Sequence, residues 1–186
     1  LASFNTKFPM ISYVRYTGET GFGGGGSVKG KMTANSIYIS GDNTLPASVT
    51  GVNNTTLGVS AGLNLTTGNG NAIMGYQAGF SHSTGDDNTY IGYYAGYETA
   101  NGTLNTYVGA YAGRWYATRG SYNVAIGGYA LAQGQGHNNV AIGYQSLYYG
   151  DNDGLIAIGY RANHQHHGKK TIAIGYEALY ASAGNL

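Results

Sequence analysis

The chain contains no cysteine, two prolines and few charges, and each shortage excludes something. Without Cys there is no disulfide framework, and the redox compartment is left open. Charged residues make up 9% and the formal net charge is +1. A nucleic-acid binder normally carries a basic patch, so that partner class is set aside. No apolar run approaches the roughly 20 residues that cross a bilayer as a helix, so no membrane insertion is expected. Apolar periodicity of the helical kind is also missing, and glycine, which is poor in helix interiors, recurs every few residues. Disorder is excluded by the opposite argument: at 13% aromatic residues and low charge the chain has the means to collapse.

Glycine and tyrosine are in excess, at 33 and 19 of 186 residues. They are not scattered. One phrase recurs eight times around an anchor glycine, at Gly58, Gly75, Gly92, Gly109, Gly127, Gly143, Gly159 and Gly175. The spacing is nearly constant throughout, slightly longer up to Gly127 and slightly shorter after it. Such regularity marks a small unit stacked on itself. Counting from the anchor, position −1 is always aliphatic or Met (Leu57 through Ile174), and position −3 is mostly β-branched (Thr55 through Ile172). Residues two apart share one face of a strand, so these columns are expected to form an inward Ile and Val ladder. Position −4 is Asn in six copies, from Asn54 to Asn139, then Leu155 and Thr171. Asn tolerates left-handed backbone, which suits a corner entering the strand. Position +3 is Ala or Ser throughout, so nothing large fits there. A second glycine follows each anchor, about midway to the next. The expected fold is all-β: a parallel β-helix or β-roll solenoid in which one anchor interval makes one coil.

Two regions are read. Residues 1–51 form a β-rich cap or connector, and residues 52–186 form the eight-coil solenoid. In the first, Met10–Tyr16 and Ser36–Ser40 read as strands, joined through the Gly21–Gly26 connector. Gly41 lies one such interval before Gly58, so positions 35–50 read as a degenerate first turn, as terminal repeats usually are. The opening Leu1 and the final Gly184-Asn185-Leu186, which matches the approach to Asn105, suggest a longer parent chain. One thin coil with a narrow apolar interior is a poor monomer core, and the Tyr columns leave an apolar strip. A homotrimer that closes over the strip, with rods intertwined or side by side, is therefore expected.

The stretches NTYIGYYAG, NTYVGAYAG, NVAIGGYAL, NVAIGYQSL and TIAIGYEAL carry a resemblance. They are similar to repeats in the trimeric tail fibres of bacterial viruses, often ending in a chaperone-of-endosialidase domain. They also resemble the left-handed β-roll head of trimeric autotransporter adhesins, whose repeat is shorter and carries Ser where this chain has Tyr-x-Ala. The resemblance covers residues 52–186. It implies a structural and adhesive segment of a virion tail fibre, a rigid trimeric shaft for host-surface attachment, whose partners would be other tail proteins and a host cell-surface glycan. The alternative is a bacterial surface adhesin or extracellular filament subunit. An ice-binding solenoid is disfavoured by the Tyr-rich columns.

Candidate chemistry is sparse. Gly25–Met32 approaches a phosphate loop but has Met32 where a hydroxyl should contact magnesium, so a glycine connector is the better reading. His164, His166 and His167 could hold a metal if three copies converged, against the alternative of a solvated loop. Asp151-Asn152-Asp153-Gly154 and Asp86-Asp87 are better explained by turns than by calcium. No carboxylate pair or nucleophile elbow stands out, so an enzyme is not expected, nor any cofactor. Arg114, Trp115, Tyr116 and Arg119 form the most unusual loop: a receptor contact for sugar rings and acidic groups, or packing against a neighbouring coil or chain.

Overall fold

The computed structural model describes residues 14–15, 29–33, 35–40, 49–115, 120–165 and 170–180. Eleven strands form one sheet in sequence order. β1 (Val14–Arg15), β2 (Lys29–Thr33) and β3 (Ser36–Ser40) pair antiparallel. From β3 onward every neighbour is parallel: β4 (Thr55–Leu57), β5 (Ala72–Met74), β6 (Thr89–Ile91), β7 (Thr106–Val108), β8 (Val124–Ile126), β9 (Val140–Ile142), β10 (Ile156–Ile158) and β11 (Ile172–Ile174). The molecule is a β-solenoid with one short strand per coil, and no helix occurs among the described residues. Like columns stack in register, Ile91 on Val108 and Ile142 on Ile158. At about 4.8 Å per rung, eight rungs make a rod of roughly 38 Å.

The first rung begins at Ser36, and its register differs from the expected one. Ile39 pairs with Leu57, and Gly58 N–H donates to the Ile39 carbonyl at 2.9 Å. Ser40, not Gly41, therefore lies opposite the first anchor. The near phosphate-loop stretch ends in β2, a strand rather than a helix start. The expected strand at Met10–Tyr16 is described only at β1.

Each anchor glycine has φ between +123° and +136°. From Gly58 to Gly159 a Cβ there would meet the next rung, as at Gly92, where it would lie 2.6 Å from the Gly109 carbonyl oxygen. Rungs at sheet spacing leave no room for even a methyl. The coil turns through three further left-handed positions, at −5, +2 and +4. The one before the Asn column is left-handed, for instance Asn53, Asp87 and Tyr122, rather than the column Asn itself. That corrects the expected role of Asn54 and its homologues.

The column asparagines are instead buried and form a ladder. Asn88 N–H and Nδ2 donate to Asn71 Oδ1 at 2.9 and 3.0 Å, and Nδ2 also donates to the Gly102 carbonyl at 2.8 Å. Asn88 Oδ1 in turn accepts from Asn105. From Asn54 to Asn123 each amide ties the strand entry to the return turn of its own coil, whereas Asn139 Nδ2 is buried without a partner. Ser36 caps the ladder by accepting from Asn54 N–H, and Leu155 N–H closes it on Asn139 Oδ1.

The interior is built from position −2, not from −1 and −3. Thr56, Ile73, Tyr90, Tyr107, Ala125, Ala141, Ala157 and Ala173 are buried. Their volume is matched across the coil by position +4. Gly62, Gly79, Gly96 and Gly113 lie against the larger residues, whereas the coils with Ala carry Leu131, Leu147, Asn163 and Leu179 at this position. At Gly113 a Cβ would lie 2.4 Å from the Tyr107 ring. The coils with the larger strand residue are also the ones with the longer anchor intervals, and those with Ala have the shorter ones. Close packing explains this matching, since cores accept redistribution of volume far better than its gain or loss. The +3 column from Ala61 to Ala162 is buried, as expected of a place with no spare volume.

Candidate interaction surfaces

With position −2 inside, period-two alternation turns −1 and −3 outward. This overturns the expected inward Ile ladder. Leu57, Met74, Ile91, Ile126 and Ile142 are exposed, and Ile172 and Ile174 reach 65% and 66%. The outward pairs grow more apolar along the rod. They begin as Thr55/Leu57 and Ala72/Met74 and become Val140/Ile142, Ile156/Ile158 and Ile172/Ile174. Aliphatic residues in register on successive rungs form one apolar face along the rod, of the kind that marks an interface.

Beyond the anchor corner the side chains are aromatic. Position +1 stacks Tyr76 on Tyr93 at 5.3 Å, Tyr144 on Tyr160 at 5.6 Å and Tyr160 on Tyr176 at 5.1 Å. Where this column holds Ala110 and Gly128, position +2 supplies Tyr111 and Tyr129, stacked at 4.6 Å. Tyr111 and Tyr129 meet Tyr93 and Tyr144 at 5.4 and 6.1 Å, so ring contacts are unbroken from Tyr76 to Tyr176. A third column, at +5, stacks Phe80 on Tyr97 and Tyr148 on His164.

The sequence candidates fall on these columns. Arg114 occupies position +5. Its guanidinium lies 4.8, 4.6 and 4.0 Å from the ring centres of Tyr94, Tyr111 and Trp115. Trp115 N–H donates to the Ala132 carbonyl at 2.7 Å, which anchors the pair to the following coil. Packing within the chain thus accounts for the position of both residues. Tyr116 and Arg119 lie outside the described residues.

His164 is buried rather than solvated, sandwiched between Tyr148 and Tyr180 at 5.1 Å from each. Burial, with Arg161 nearby, holds its pKa below the usual histidine value. His166 and His167 lie outside the described residues, and no group of three or more potential metal ligands occurs among the described ones. Two of the acidic candidates serve the backbone: Asp86 Oδ1 accepts from Asn69 N–H at 2.7 Å and Asp153 Oδ1 from His137 N–H at 2.6 Å. A further carboxylate, Glu177, faces the Arg161 guanidinium at 3.8 Å.

Two features have little signal in the sequence. Position −6 is a second side-chain ladder, in which Asn69, Asp86, Thr103, Ser121, His137 and Asp153 each accept from the N–H one rung earlier. The residue types differ and only the acceptor is shared. His137 accepts through Nδ1, which selects the tautomer protonated on Nε2. The other is His82, buried inside the coil against Tyr90, with Nδ1 2.8 Å from the Thr99 carbonyl and Nε2 3.0 Å from that of Gly85. Burial lowers its pKa, against the raising effect of those two carbonyls and of Asp86.

No helix is long and apolar enough to cross a membrane among the described residues. Comparison of the chain with family models, curated proteins and solved structures gives no match.

Proposed function

We propose that the chain is a structural and adhesive shaft segment of a virion tail fibre, working as a homotrimer that holds receptor-contacting parts away from the particle. The observation that carries this reading is the outward aliphatic face of β4–β11. A solenoid whose interior is already filled has no further surface of its own to cover that face, and a second rod has the same flat, regular columns to offer. Three copies around one axis close the assembly without leaving an open edge. The resemblance of the repeats to those of phage tail fibres supplies the virion setting. A bacterial surface adhesin or extracellular filament subunit uses the same construction and is the second reading.

Mechanically, ladders of amides, aliphatics and rings along the axis resist bending and proteolysis. Three identical sides make any weak surface contact multivalent. Other tail proteins would hold the ends, and a host-surface glycan is the receptor class that suits an aromatic flank.

Ile142→Lys and Ile158→Lys test the arrangement. Both residues point outward from a single rod, so lysine leaves the coil intact but puts charge into the shared face. The expected result is unchanged β-type circular dichroism with the light-scattering mass falling from trimer to monomer. A mass that does not change with either variant would remove this face from assembly.

A further inference from the structure

The two arginines packed on the aromatic flank make a comparison within one molecule. Arg161 lies over Tyr160 and Tyr180, and its edge donors are in use: Nε donates to Gln145 Oε1 at 2.8 Å, and Nη1 faces Glu177 at 3.8 Å. Arg114 is held by three rings and, among the described residues, has no such partner. Its Nε is buried without a hydrogen bond, and no ion pair of Arg114 occurs among the described residues. Glu98, one rung away, contributes its backbone N–H to the Arg114 carbonyl at 3.1 Å rather than its carboxylate to the guanidinium.

Rings that cover the faces of a guanidinium fix its plane and leave its edge as the place where a ligand can bind. With Nε buried, the part of that edge open to a ligand is the pair of terminal Nη groups, whose N–H donors match two oxygens of one oxyanion. Tyr111 is stacked between Tyr94 and Tyr129, so the aromatic surface left beside the guanidinium for a sugar ring is that of the half-buried Trp115. In a chain with 9% charged residues, a cation held in place with no ion-pair partner among the described residues is not ordinary surface decoration.

We infer that Arg114, oriented by Tyr94, Tyr111 and Trp115, is the anion-recognising centre of a binding site for an acidic polysaccharide, its guanidinium taking a carboxylate or sulfate while the Trp115 indole packs against the sugar. The inference rests on the proposed attachment role and gives that role a ligand class. Repetition over three copies would let a weak single site hold a long polymer.

Titration calorimetry on the intact protein, with oligogalacturonate and with a sulfated galactan oligosaccharide as separate probes, tests it. Methyl-esterified oligogalacturonate serves as the uncharged comparison. The charged probes are expected to bind, more weakly as salt rises, and the ester is expected not to. Arg114→Gln should weaken binding about ten- to a hundredfold, the range for a lost charge-assisted hydrogen bond. Arg161→Gln, whose donors are already taken, should leave it unchanged. Binding to only one charged probe identifies carboxylate or sulfate as the natural group. The inference is overturned if neither charged probe binds, if Arg114→Gln binds as tightly as the parent, or if Arg161→Gln loses as much. Light scattering on each variant reports the shaft separately. A trimer that ignores acidic sugars sinks this site alone, whereas a monomeric parent sinks the shaft.

Discussion

Exchange of volume between positions −2 and +4 predicts a specific pattern of non-additivity. In the coil anchored at Gly109, Tyr107 fills the interior and Gly113 makes way for it, a Cβ there falling 2.4 Å from the ring. In the next coil Ala125 and Leu131 divide the same space the other way. Tyr107→Ala alone empties a buried ring site and is expected to cost about 4 kcal/mol. Gly113→Leu alone overpacks the ring and places a branched side chain at φ +58°, together about 3 kcal/mol. Independent sites would give a double variant weakened by the sum, about 7 kcal/mol. Copying the Ala125/Leu131 solution, the double variant should lose only about 4 kcal/mol, because leucine methyls occupy the vacated ring volume while the left-handed strain remains. Urea denaturation at one fixed protomer concentration measures all four species, since association would otherwise shift the midpoints. Additivity within about 0.5 kcal/mol would refute volume matching as the reason for the paired columns.

Other consequences concern polar groups in the interior. Asn163 stands in the leucine column with both amide atoms buried and unpartnered, so Asn163→Leu should stabilise the fold by about 1 kcal/mol in the same assay, after allowing for strain at its left-handed φ. Asn88→Ala strands the Gly102 carbonyl and the Asn105 N–H inside the rod, and should lower stability by about 2–4 kcal/mol. His82 and His164 both have lowered pKa values, so the folded state favours the neutral rings. Their stabilisation is complete above the unfolded value of about 6.5 and is lost as pH falls below it, because the unfolded chain binds the extra protons. Thermal melts at intervals from neutral pH downward should show that decline, and His82→Leu, which copies Leu65 of the preceding coil, should flatten it. An unchanged slope in that variant would place the acid sensitivity elsewhere.

Features that depend on identical residues in every copy were legible in the sequence. The anchor glycines, the small +3 column and the stacking period follow from repetition, and the structure places them as expected. Orientation of the strand was not legible. In strands this short, the aliphatics at −1 and the mostly β-branched residues at −3 look like a core, yet the true core column changes type along the rod, from Thr56 and Ile73 through Tyr90 and Tyr107 to Ala from Ala125 onward. It becomes visible only when read jointly with position +4, which is Gly wherever −2 is Thr, Ile or Tyr and Leu or Asn wherever −2 is Ala. The position −6 ladder was hidden for a similar reason: Asn69, Thr103, His137 and Asp153 share an acceptor and nothing else. The Asn column was seen but given the wrong task, because left-handed tolerance and amide laddering are both properties of Asn, and only the rung-to-rung geometry separates them. At the candidate site, composition marked Arg114 and Trp115 as unusual, but the ring cage and the unused guanidinium edge depend on Tyr94 and Tyr111 as well.

The absence of cysteine allows the shared face to be probed with a single thiol. Ile142→Cys places it in the outward aliphatic column, and Asn64→Cys places it on an exposed loop position away from that column. If the strand faces of three chains meet, mild oxidation should give disulfide-linked dimers from Ile142→Cys and none from Asn64→Cys, with a native mass three times 19.4 kDa before oxidation. A native mass of 19.4 kDa, with no cross-link at position 142, would contradict the account.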